Sequence, residues 1–230
     1  MNDTSLDGAF RRICSTEAPL KVRLADFSSA VRQFSAPFAD AYDDLVARLK
    51  SADAGAGAPR PGEAMPPFLL PDENNRLVAF EELIKEGPVV ITFNRGHWCE
   101  YCQIELAAFK AALGEFAKTS AQVVSIMPET NEYLSSLEPC RNFRFLADVD
   151  NGYALEVGLA IWLGDAVRDL YLKHGIELQR YNRSDSWFLP IPATFVVGRD
   201  CVIIDRFVDP DFRDRMEIED ILKALGEALQ

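Results

Sequence analysis

Residues 88–106, Pro88-Val-Val-Ile-Thr-Phe-Asn-Arg-Gly-His-Trp-Cys-Glu-Tyr-Cys-Gln-Ile-Glu-Leu106, constrain the chain more than any other stretch. The run Val89 to Phe93 reads as a buried strand, and Asn94-Arg95-Gly96-His97 as a polar bend. Trp98-Cys99 and Cys102 follow, and then apolar residues at Leu106, Phe109, Leu113 and Phe116, spaced by threes and fours as on a helix face. Strand, turn, Cys-x-x-Cys and helix is the layout of a thiol redox site. Two sulfurs three residues apart can close a small disulfide ring, and the free amides of a helix start favour a thiolate.

The rest of the composition narrows the setting. The chain has 230 residues, of which 48% are hydrophobic and 26% charged, enough to bury a core without metals or disulfide staples. A net charge of −12 argues against nucleic acid or an anionic membrane as the main partner. Five cysteines at 14, 99, 102, 140 and 201 show no repeated spacing, so they do not form a structural disulfide framework. The N-terminus has no basic start or apolar core of a secretory signal, and no apolar run reaches membrane-spanning length. These features predict a cytoplasmic, reducing setting, where a Cys-x-x-Cys is redox-active or metal-binding rather than structural.

Along the chain, residues 1–17 show no clear period and are expected to be loosely held. Leu20, Leu24, Phe27, Val31 and Phe34 mark one amphipathic helix, and Phe38, Tyr42, Leu45 and Leu49 a second, with Ser35 as its cap and Pro37 in its first turn. This hairpin suits a homodimer interface, a lid, or simple packing on its own domain. Residues 51–67, rich in Ala, Gly and Pro, read as a linker. The division expected is therefore an N-terminal helical extension and linker over 1–58 and a second domain over 59–230. In the latter, Phe68-Leu-Leu and Leu77-Val-Ala-Phe form a small hairpin, and a short helix over 80–86 ends at Gly87-Pro88. Strands are expected at 121–127 and 144–147, with Asp148 to Asn151 capping the next helix. Residues 165–172 read as a helix, 181–187 as a long loop, and 193–197 with 202–208 as a β-hairpin. A closing helix carries Ile218, Ile221, Leu222, Leu225 and Leu229. Alternating strands and helices predict a largely parallel α/β sheet.

From Pro61-Gly-Glu-Ala-Met-Pro-Pro-Phe to the closing helix, the sequence resembles the peroxiredoxin-like members of the alkyl hydroperoxide reductase C/thiol-specific antioxidant family, in the thioredoxin-like superfamily. Phe93-Asn-Arg-Gly-His-Trp-Cys-Glu-Tyr-Cys102 is similar to that branch's Arg-Gly-x-Trp-Cys-Pro-Tyr-Cys motif. Tyr181-Asn-Arg-Ser-Asp-Ser-Trp187, Leu189-Pro-Ile-Pro-Ala-Thr-Phe195 and Phe207-Val-Asp-Pro-Asp211 extend the likeness in order. The resemblance implies a thioredoxin-like α/β fold, a central mixed sheet flanked by helices, here with an N-terminal helical hairpin. It also implies a thiol-dependent antioxidant activity without a cofactor, on a hydroperoxide or disulfide substrate, recharged by an external thioredoxin- or glutaredoxin-like dithiol. Two relatives assign the sulfurs differently. Laid on the peroxiredoxin motif Pro-x-x-x-Thr-x-x-Cys, Cys102 is the attacking thiol, with Cys99 at the Thr position and Arg95 at the Pro position. Laid on the thioredoxin motif Trp-Cys-x-x-Cys, Cys99 attacks and Cys102 resolves. The peroxiredoxin Arg just before the late hydrophobic strand is missing, and Ile191-Pro192-Ala-Thr resembles the cis-proline loop of thioredoxins instead.

Cys99 and Cys102 are thus the expected catalytic pair. Zinc is the alternative, but His97, Cys99 and Cys102 lack a second paired ligand set. Arg95 or a protonated His97 would favour a thiolate, whereas Glu100 between the sulfurs would oppose it. Arg95 can equally be a structural cation, and His97 a proton relay or an exposed turn residue. Trp98 is read as a wall of the site, Glu105 as a group near Cys102 or a helix-start acid, and Pro192 as a cis residue. Cys14, Cys140 and Cys201 are bystanders, with Cys140 the reserve resolving thiol. A redox-sensing or binding module on the same scaffold is the third reading.

Overall fold

A computed structural model describes residues 5–227. In chain order, helices α1 (Leu6–Ser15), α2 (Leu20–Phe34) and α3 (Ala36–Ser51) precede a hairpin of β1 (Leu69–Pro71) and β2 (Leu77–Ala79). Then come α4 (Phe80–Glu86), β3 (Val89–Phe93), α5 (Glu100–Ala111), α6 (Leu113–Lys118), β4 (Gln122–Met127), α7 (Asn131–Leu134) and β5 (Phe143–Ala147). The chain continues through α8 (Gly152–Glu156), β6 (Ala160–Trp162), α9 (Asp165–Lys173), α10 (Leu178–Asn182), β7 (Phe188–Pro190), β8 (Ala193–Val197), β9 (Ile203–Val208) and α11 (Ile218–Glu227).

The central sheet has the order β5-β4-β3-β8-β9. β3 pairs parallel with β4, and β4 with β5, whereas β3–β8 and β8–β9 are antiparallel. The sheet is therefore mixed, as the family resemblance implies, rather than largely parallel as the alternation of elements suggests. The tight β8–β9 hairpin reverses direction and adds the antiparallel half. All five residues of β3 are buried, and successive ones serve opposite faces. Ile91 and Phe93 join one core with Val124, Phe195 and Tyr153, whereas Val90 joins the other with Phe109, Phe145 and Leu225.

Helix α5 is packed on both sides. Leu106 and Phe109 face the sheet, whereas Tyr101, Ile104 and Ala108 share a third core with Leu24, Phe27, Val31, Leu45 and Leu49 of α2 and α3. A helix apolar on both sides is a buried helix, and here the N-terminal helices supply the second cover. Several contacts tie that layer down. Glu217 accepts from the backbone N–H groups of Leu20 (3.0 Å) and Lys21 (2.7 Å), capping the start of α2, where Pro19 offers no side-chain cap. Asp43 of α3 pairs with Arg213 at 2.6 Å, and Ser28 meets the Tyr101 hydroxyl at 3.1 Å.

Three expectations change. The first described residues are not loosely held but form α1, whose Leu6, Phe10 and Ile13 follow a helix period. Arg23 closes its end by donating to the carbonyls of Ile13 and Cys14, at 3.0 and 2.9 Å. The loop expected from Tyr181 opens as the last turn of α10, which ends with Arg183 in the left-handed region, at φ +55°. The Ser35 side chain makes no cap bond, although Pro37 does lie in the first turn of α3. Asp148 caps as expected, accepting from the N–H groups of Tyr153 and Ala154 at 2.9 and 2.8 Å. Leu229 lies outside the described residues.

Phe27 is 1% exposed and packs edge-on against Tyr101 and Phe10, with ring centres 4.9 and 5.8 Å away. Phe27→Ala is expected to lower stability by about 3–5 kcal/mol, in a single transition followed by urea denaturation. A loss below about 1 kcal/mol would show that the N-terminal layer contributes little to this core.

Candidate active site

The strand-to-helix turn after β3 sets the geometry. Cys99 is the N-cap residue of α5, in extended conformation, and Cys102 lies in the first turn. Gly96 has a φ of +143°, and a side chain there would overlap the Trp98 indole and the Glu129 carboxylate, so only glycine fits the bend. Gln103 braces the turn from the helix, donating to the His97 carbonyl at 2.6 Å.

Both sulfurs are buried, Cys99 at 3% exposure and Cys102 at 0%. The Cys102 sulfur accepts from the Arg95 backbone N–H at 3.4 Å and lies 3.7 Å from Nη2 of Arg215. Arg215 in turn pairs through Nε with Glu105 Oε2 at 2.9 Å, and Thr92 reaches the other carboxylate oxygen at 3.4 Å. Arg95 is itself 2% exposed. Its guanidinium donates to the Tyr171 hydroxyl and lies over the rings of Phe212, Trp98 and Tyr171, at 4.2, 5.5 and 5.9 Å.

These neighbours divide the two thiols. Burial pushes the Cys99 thiol up, but the hydrogen bond from Cys102 and the charge of Arg95 outweigh it and bring Cys99 down to about 7. Burial and the proximity of Cys99 push Cys102 well up. Burial also raises the Glu105 carboxyl to about 7, against the pull of Arg215. Two buried guanidiniums face one carboxyl that is itself raised to about 7, so the environment favours negative charge on a sulfur.

Of the residues singled out in the sequence, the structure gathers Cys99, Cys102, Arg95, Trp98 and Glu105. His97 stands at the rim and is not a free turn residue. Its ring Nδ1 lies 2.6 Å from the wholly buried Glu129, its backbone N–H donates to the same carboxylate at 2.7 Å, and it stacks on Tyr133. Glu100 is exposed, and the Cys99 thiol is lowered despite it. Pro192 is not cis: no cis peptide occurs among the described residues. The Ile191 N–H bonds to the Leu159 carbonyl at 2.8 Å and its side chain is buried, holding the link from β7 to β8 in place. Cys140 is exposed, on the loop before β5.

Four site residues were not singled out from sequence: Arg215, Tyr171, Phe212 and Glu129. The arginine expected before the late strand is absent, but Arg215 reaches Cys102 from beyond β9. A faint signal existed, since Arg213 and Arg215 directly follow the Phe207–Asp211 similarity.

The model of the AhpC/TSA family matches residues 61–206. The chain belongs to this family. No curated protein matches it in sequence. Among solved structures it is similar to the peroxidoxin BcpB from Mycobacterium tuberculosis, at 20% identity and a TM-score of 0.55, over 73% of this chain and 97% of that one. A thiol peroxidase from Chromobacterium violaceum is 16% identical with a TM-score of 0.55, over 75% and 90% of the two chains. A reduced 2-Cys peroxiredoxin from Plasmodium vivax is 13% identical with a TM-score of 0.54, over 73% and 81%. These likenesses show the thioredoxin-type fold, and family membership makes the protein a thiol-dependent oxidoreductase of the peroxidase kind. The matched segment contains Arg95, both cysteines, Glu105 and Tyr171, but not Phe212 or Arg215.

The Cys99 shift fixes a pH dependence. An unfolded thiol titrates near about 8.5 and the folded one at about 7, so the unfolded chain binds more protons between these values. Stability of the dithiol form should rise through that window and be lost as pH falls through 7. The upward shift of Cys102 opposes this only at higher pH. Denaturation midpoints of the reduced protein across the window check it, and in Cys99→Ser the rise should vanish.

Proposed function

We propose that the protein reduces small hydroperoxides with the Cys99–Cys102 dithiol, Cys99 attacking and Cys102 resolving. One observation carries this reading: Cys99 stands at the N-cap of α5, where the free helix amides favour a thiolate and the charge of Arg95 helps to lower the thiol. The Cys99 thiolate attacks the terminal peroxide oxygen and the O–O bond breaks. The product is Cys99 sulfenic acid, and the departing alkoxide takes a proton to leave as the alcohol or water. Cys102 then attacks the sulfenic sulfur, releasing water and forming the disulfide. An external dithiol of thioredoxin or glutaredoxin type restores the pair in a reducing, cytoplasmic setting.

Membership of the AhpC/TSA family favours a peroxide over a disulfide as the oxidant, so thioredoxin-type exchange through Cys99 ranks second. A different observation favours Cys102 as the attacking sulfur in peroxide reduction: the Arg95 amide and Arg215 both aim donors at it. In this reading the domain over 59–230 carries the chemistry and the extension over 1–58 covers it.

Stopped-flow oxidation of the reduced protein by hydrogen peroxide, with mass mapping of the product, tests the assignment. Cys99→Ser should fall to the rate of a free thiol. Cys102→Ser should keep fast oxidation and accumulate a sulfenic acid on Cys99. The reverse pattern transfers attack to Cys102. A wild-type rate no faster than free cysteine sinks the peroxidase reading. Mixed disulfides trapped on Cys99 in that case would favour exchange.

A further inference from the structure

A guanidinium at 2% exposure needs partners, and Arg95 has few. Among the described residues no carboxylate pairs with it, and its guanidinium donates one hydrogen bond, to the Tyr171 hydroxyl of α9. Beneath it lies the Phe212 ring, 4.2 Å from the guanidinium carbon. Tyr42 of α3 touches both supports. Its hydroxyl is 3.2 Å from that of Tyr171, and its ring meets Phe212 edge-on at 4.9 Å between centres. Tyr42 precedes residue 61, so it lies outside the segment that matches the family.

We propose that Tyr42 is a positioning residue of the dithiol: it holds the Tyr171 hydroxyl and the Phe212 ring in the places that fix the guanidinium of Arg95, whose own backbone N–H bonds to the Cys102 sulfur. The inference rests on the reading of Cys99 as the thiolate. Because Arg95 donates to the Tyr171 oxygen, the two phenols share their remaining contact, one donating to the other. With Tyr171 held from the far side, the guanidinium keeps one orientation. Without the Tyr42 hydroxyl, Tyr171 loses its second partner and Arg95 its fixed aim. The ionisable groups coupled to Cys99 are Arg95, Cys102, Arg215, Tyr42, Tyr101 and Tyr171. Burial raises all three phenols, so they stay neutral while the thiol titrates.

The test uses full-length Tyr42→Phe and Tyr171→Phe, which keep the rings and remove one hydroxyl each. Thiolate absorbance of the reduced proteins is followed against pH, alongside oxidation by hydrogen peroxide. In both variants the Cys99 midpoint should rise by about one pH unit. Peroxide oxidation should slow about tenfold at neutral pH and recover once pH passes the new midpoint. A purely structural role for Tyr42 would not give a loss that alkaline pH restores. An unchanged midpoint in folded Tyr42→Phe overturns the proposal, and this variant decides alone if Tyr171→Phe does not fold. A wild-type protein with no thiol titrating below the ordinary range removes the Cys99 assignment itself, and this inference with it.

Discussion

The site depends on the charge held at a sulfur inside a dry interior. Arg95 and Arg215 are both buried, and among the described residues only Glu105 of the carboxylates pairs with either. Removing two guanidiniums from water against one carboxyl leaves a positive excess that favours a thiolate. The same requirement explains why the two cysteines differ. Burial and the nearby Cys99 push the Cys102 thiol well up, whereas the charge of Arg95 helps to bring Cys99 down to about 7.

The scaffold serves this arrangement at three levels. The sheet fixes where the chain leaves β3, with every residue of that strand buried. The bend needs Gly96, because the indole and a carboxylate crowd the space a side chain would take. Helix α5 then receives an apolar cover from the sheet on one side and from α2 and α3 on the other. Water is thereby kept from the sulfurs, and each nearby charge acts more strongly than it would at the surface.

Much of this was legible in sequence wherever the signal is local. β3, the Cys-x-x-Cys turn and α5 are encoded in consecutive residues, and their periods predict them. Helices α2 and α3 and the β8–β9 hairpin are likewise readable from apolar spacing. What sequence could not show is what folding alone brings together. Arg215 stands 113 positions beyond Cys102, and Tyr42 stands 129 before Tyr171. Glu129 carries no signal in its neighbouring residues, yet it is the buried partner of His97. Pro192 was misread because a Pro after Ile beside a strand resembles a thioredoxin turn, whereas here the hydrogen bond of Ile191 and its buried side chain fix the link. Helix α1 was missed because Leu6, Phe10 and Ile13 are few beside the polar residues around them.

The cap on α2 has a consequence for where the working unit ends. Glu217, just before α11, closes the first turn of a helix that begins 197 residues earlier. Its neighbour Arg215 meanwhile reaches Cys102. One short stretch therefore stitches the N-terminal extension to the domain and completes the sulfur environment. A fragment trimmed to 61–206 would keep both cysteines and their motif while losing the helix, its cap, the second guanidinium and Tyr42 together. The borders of family likeness and the borders of the sulfur surroundings do not coincide in this chain.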